Sequence, residues 1–123
     1  MRSSGLWFFR ASLLTAVVGI TYLATMSAAL PAAVAVPDKL LHGLAFWVLL
    51  LLVDYSWPDS RLGLGKVLTV FAYGVLIEVV QYFLPYRDFS LADLLADALG
   101  MGLYPLSVPL LRKLPWLCLR WSP

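Results

Sequence analysis

Long apolar runs broken by short polar punctuation dominate this chain. Ala11 to Leu30 is apolar apart from Thr, Ser, Gly and Tyr, which matches the roughly 20 residues that cross a bilayer. Pro37-Asp38-Lys39 forms a turn, and Asp38 can cap the next helix by accepting from free first-turn amides. Leu40 to about Trp57 makes a second run, with His42 near its start and Asp54 near its end. Tyr55 and Trp57 suit the interfacial belt. After Pro58-Asp59-Ser60-Arg61 come Gly63, Gly65 and Lys66, then a third run from Val67 to Leu84. Pro85 to Phe89 turns the chain back. A fourth run goes from Ser90 to about Leu111, opening on Ser90-Leu91-Ala92-Asp93, the spacing of a capping box with Asp for the usual Glu. Pro105 and Pro109 interrupt its far half; proline is tolerated in a span where neighbours re-satisfy the backbone. The pattern predicts an all-α polytopic membrane protein, a bundle of four transmembrane helices over about 11–30, 40–57, 67–84 and 91–111, in one domain covering 1–123.

A second reading of the start is a signal peptide. Arg10, an apolar core and the Ser27–Ala35 stretch with its A-x-A pattern have that form. The run is long for such a core and is read as a span; its removal would leave three.

Composition strengthens the membrane reading. The chain has 123 residues, 62% of them hydrophobic, and a mean hydropathy of +0.86. Soluble domains average roughly 45–50% apolar residues. The net charge of +2 is not gathered into a basic run, so no nucleic-acid partner is expected. A single cysteine, Cys118, excludes an intrachain disulfide. With four spans, the N-terminus, the second loop and the C-terminus lie on one side. They hold Arg2, Arg10, Arg61, Lys66, Arg112, Lys113 and Arg120, seven of the nine basic residues. Lys39 and Arg87 are on the other side. The positive-inside rule then makes both termini cytoplasmic and turns the Asp38 and Arg87 turns outward.

Against that background the polar residues stand out. Glu78 and Asp97 each lie seven residues inside their helix ends, about 10 Å deep, and His42 about 6 Å. Gln81 and Asp93 are shallower. Three helices thus bring polar groups to one outer layer, whereas Asp54 stands nearly alone in the inner half. Gly74, Glu78, Gln81 and Tyr82 share one helix face, as do Asp93, Asp97 and Gly100. Ala92, Ala96 and Gly100 form a small-residue row that admits a close neighbour, and Gly74 can do the same. The third and fourth spans are expected to pack as a hairpin with the acids between them, roofed by Arg87. A carboxylate at membrane depth costs roughly 2.5–3.5 kcal/mol on insertion scales, so Glu78 and Asp97 read as functional, one of them protonated or paired. Asp38 and Asp93 can be simple caps, and Gln81 a simple interhelical donor.

The three segments Asp38-Lys39-x-x-His42-x-x-x-Phe46, Glu78-x-x-Gln81-x-Phe83-x-Pro85-x-Arg87 and Ser90-x-x-Asp93-x-x-x-Asp97-x-x-Gly100 resemble, in order and spacing, the VanZ-like family of small bacterial membrane proteins. The likeness spans about residues 37 to 103. The family usually has Asn where this chain has Asp97. Its name comes from a protein associated with resistance to the glycopeptide teicoplanin. The resemblance implies a multi-pass protein of the bacterial cytoplasmic (inner) membrane working at the cell envelope.

Three functions compete. The first is binding or modifying a membrane lipid or lipid-linked cell-wall component at Asp38, Lys39, His42, Glu78, Gln81, Arg87, Asp93 and Asp97, with a possible link to glycopeptide resistance. The second is a membrane enzyme acting on a lipid head group, using His and carboxylates as acid and base or around a divalent cation. No nucleophile motif or recognised metal spacing appears, and no cofactor or resident metal is expected. The third is a proton or solute transporter built as a homo-oligomer.

Overall fold

The computed structural model describes residues 3–27 and 37–121. Four helices, α1 (Ser3–Thr25), α2 (Asp38–Ser56), α3 (Leu64–Phe83) and α4 (Leu91–Leu111), are followed by one 3-10 turn, Cys118–Arg120. The described residues contain no strand. All four helices are long and apolar enough to cross a membrane. The all-helical, four-span expectation holds. α1 begins eight residues before the expected start at Ala11, because Ser3 to Arg10 continue the helix. The cleavage pattern of residues 28–35 lies outside the described residues.

α2 is the central element. It touches the other three helices and packs most extensively on α4. Phe46, Leu49, Leu50, Leu51, Leu52 and Tyr55 of α2 form the core with Val70, Met101, Tyr104 and Leu111. α1 has no fully buried residue. Phe9, Leu13, Ala16, Val17 and Ile20 pack against that core at the three- and four-residue spacing of one helix face. Trp7, Phe8, Leu14, Val18 and Tyr22 remain exposed, as apolar side chains facing lipid would.

The backbones of α2 and α4 come into close contact. A Cβ placed on Gly100 would lie 1.9 Å from the Gly43 carbonyl oxygen. Only glycine fits there. Ala96, one turn earlier, is buried, and Ala92 is exposed. The close neighbour that the small-residue row admits is therefore α2, while α3 and α4 are also in contact, as expected. Gly74 of α3 also admits a neighbour: its Cβ would meet the Phe46 ring at 2.9 Å and Asp97 Oδ2 at 3.1 Å.

Two helix starts differ from expectation. Asp38 is the first residue of α2 rather than its cap; Pro37 holds the cap position and no side chain bonds there. At α4 the Ser90 hydroxyl accepts from the Asp93 amide at 3.2 Å, as a capping box requires. The reciprocal bond comes from another helix: the Ser90 amide donates to Glu78 Oε2 at 2.9 Å.

Candidate functional site

The bundle has two polar ends. One carries the start of α2 and the turn between α3 and α4. The other carries the loop between α2 and α3 and the C-terminal segment.

At the first end, α2 presents Asp38, Lys39 and His42, and α4 presents Asp93 and Asp97. The four-residue spacing puts Asp38 above His42 on one face and Asp93 above Asp97 on the other. His42 joins the two. Its Nδ1 lies 3.0 Å from Asp97 Oδ1, so an N–H there donates to the carboxylate. Its Nε2 lies 3.6 Å from Asp93 Oδ2 and 3.9 Å from Asp38 Oδ2. The Lys39 ammonium donates to Asp93 Oδ1 and stands 3.5 Å from Asp38 Oδ2. Asp97 is buried and Lys39 and Asp38 reach the surface, so the cluster runs from the interior outward. Asp97, the deeper aspartate, is the paired acid.

Glu78 flanks this cluster from α3, close enough to interact electrostatically with Asp93, His42 and Asp97. It is 0% exposed. Oε2 takes the Ser90 amide, while Oε1 is buried with no hydrogen-bond partner among the described residues. A buried polar atom without a partner carries the full cost of desolvation, about 1–3 kcal/mol, and so calls for an explanation. Any cation would be held by Asp38, His42 and Asp93, whose ligand atoms lie within 4.8 Å of one another. A histidine ligand that donates its second N–H to a carboxylate is the usual arrangement around a metal, and Asp97 stands in that outer position.

Two of the predicted residues point elsewhere. Gln81 donates to the Ala24 carbonyl at 3.0 Å. Arg87 donates to the carbonyls of Leu23 at 2.9 Å and Met26 at 3.0 Å, and so does not roof the acids. With Tyr86, which donates to Thr25 at 2.6 Å, they satisfy carbonyls at the end of α1 that have no acceptor role within the helix. A guanidinium there also suits the negative end of the helix dipole. The expected roof fails because α1 ends beside this turn and offers four carbonyls in a row.

The second end corrects the expectation that Asp54 stands nearly alone. Asp54 is 1% exposed. Oδ1 accepts from Lys66 Nζ at 2.8 Å and Arg120 Nη2 at 3.1 Å, and Oδ2 from the Tyr104 hydroxyl at 2.7 Å. Lys66 also donates to the carbonyls of Trp57 and Ser60, both at 2.9 Å. A lysine in the first turn of α3 opposes the helix dipole; here it closes the end of α2 instead. The C-terminal segment folds back to bring Arg120 in, and Tyr55 donates to the Leu117 carbonyl at 2.8 Å.

Neither the curated proteins nor the solved structures give a match to this chain. The family model described as VanZ/LLP1 matches residues 6–112, a range that includes all of α2, α3 and α4 and nearly all of α1 but stops short of the C-terminal segment that carries Arg120, and the chain belongs to that family.

Proposed function

We propose that this protein binds a lipid or lipid-linked cell-wall component at the His42–Asp97 cluster, on the outer face of the bacterial cytoplasmic membrane. The observation that carries the reading is the orphaned Glu78 Oε1, fully buried beside a cluster that opens to the surface at Asp38 and Lys39. The carboxylates offer acceptors to the hydroxyls of a head group, and Lys39 offers a donor to its phosphate. A family named for teicoplanin resistance points to the envelope as the place of action. About 18 Å of helix rise separates His42 from Asp54 on α2. Phe46, Leu49 and Leu50 are buried between them, which favours binding at one end over transport through the bundle.

The test is native mass spectrometry of the purified protein for co-bound lipid, repeated with Glu78→Gln. The amide keeps an acceptor for the Ser90 N–H and removes the charge. Retention of the bound species is expected to fall by roughly tenfold, the equivalent of about 1.4 kcal/mol. Equal retention by both proteins would refute a ligand site here.

A second reading, a metal-assisted enzyme acting on the same head group, rests on His42 itself. With Nδ1 held by Asp97, Nε2 faces Asp38 and Asp93 and is free to meet a cation. The same spectra decide it, since a stoichiometric divalent ion lost in His42→Ala would favour catalysis.

A further inference from the structure

We propose that the opposite end of the bundle carries a separate site for a phosphate-bearing anion, presented by the head group of an anionic phospholipid. A cavity of about 380 Å³ opens there, lined by Asp54, Asp59, Arg61, Arg112, Arg120 and Trp121 among others. Its size falls within the roughly 300–1,000 Å³ of small-molecule sites.

The charges on its wall are unequal in availability. Asp54 is already neutralised by Lys66 and Arg120, with Tyr104 on its second oxygen. Arg120 is spent on Asp54 and on the Ser60 carbonyl at 2.8 Å. Arg61 and Arg112 form no ion pair among the described residues. The Arg112 guanidinium carbon lies 5.2 Å from the centre of the Trp121 ring, a cation–π contact that holds it at the cavity wall. Among the described residues Asp59 is the one carboxylate on the wall left to oppose them. The cavity therefore keeps net positive potential and two planar forks suited to phosphate oxygens.

Its position selects a lipid. The wall is built from the loop after α2, the end of α4 and the C-terminal segment, so it lies at the end of the spans. Trp57, beside the lining Pro58 in the chain, and Trp116, in the C-terminal segment, are exposed, and tryptophan rings of this kind sit at head-group level. Basic pockets between spanning helices at that depth bind anionic head groups.

The full-length protein in nanodiscs of phosphatidylcholine, with and without phosphatidylglycerol, tests this by native mass spectrometry of retained lipid. Wild type is expected to keep phosphatidylglycerol in preference to phosphatidylcholine, and Arg61→Gln with Arg112→Gln to lower that preference by roughly tenfold. The double Arg→Lys variant keeps part of it. Unchanged helical circular dichroism shows that the fold survives. Equal retention of both lipids, or a preference untouched by the double Gln variant, overturns the proposal. So does a preference lost in His42→Ala, which would put the lipid at the far end. Phosphorus NMR of inorganic phosphate with lipid-free protein separates the sources. Arginine-dependent phosphate binding without lipid preference would make the free anion the occupant and overturn the assignment to a lipid head group.

Discussion

Asp54 draws its three side-chain partners from three separate segments, so its loss is expected to be costly. Asp54→Asn leaves Lys66 and Arg120 buried without their counter-charge. Removing one member of a buried ion pair destabilises by about 3–5 kcal/mol. Tyr104→Phe removes one neutral donor and is expected to cost about 1 kcal/mol. Thermal unfolding in detergent should rank the two in that order; Asp54→Asn melting no earlier than Tyr104→Phe would show that the network is not held by charge. The sequence marks Asp54 but not its partners, which lie 12, 50 and 66 residues away, one on each element. No spacing rule connects single residues on separate elements. The other cluster is legible for the opposite reason. Asp38 and His42, and Asp93 and Asp97, are each four residues apart, so helix geometry alone pairs them before any packing is known. Glu78 is legible by depth, whereas Gln81 and Arg87 turn toward α1 because the free carbonyls of Leu23 to Met26 are set by where α1 ends.

At the scale of the elements, the contact between α2 and α4 depends on Gly43 and Gly100. The methyl of Gly100→Ala would sit 1.9 Å from the Gly43 oxygen and 2.6 Å from its carbonyl carbon. These are backbone atoms, so the helices themselves must separate. Overpacking of this kind costs about 1–3 kcal/mol, and separation would also pull His42 from Asp97. Gly102→Ala meets nothing within 4 Å and is expected to leave stability unchanged or slightly raised. Melting temperatures of the two variants check the contrast, and equal values would argue against the close approach. The sequence identified Ala96 and Gly100 as a surface for a near neighbour. It could not choose the neighbour, because periodicity fixes which side of a helix is small and not what faces it. The four helices themselves were legible because each is a long apolar run between turn residues.

For the molecule as a whole, charge is confined to the two ends and the middle is apolar, the arrangement a membrane selects. Seven of the nine basic residues fall towards the two ends of the chain and at the loop and helix start that join α2 to α3, so the Arg87 turn is expected on the outer surface. In a Cys118→Ala background, Asp88→Cys should react with a membrane-impermeant maleimide in intact spheroplasts, and Asp59→Cys only after permeabilisation. The reverse pattern would move the proposed envelope site to the cytosol. The bond from the Ser90 amide to Glu78 has one more effect, on the order of assembly. Translation delivers the acceptor twelve residues before the donor, so the first turn of α4 emerges to find its partner already made. A chain truncated between them would carry a third helix whose buried glutamate lacks the one amide that pairs with it among the described residues.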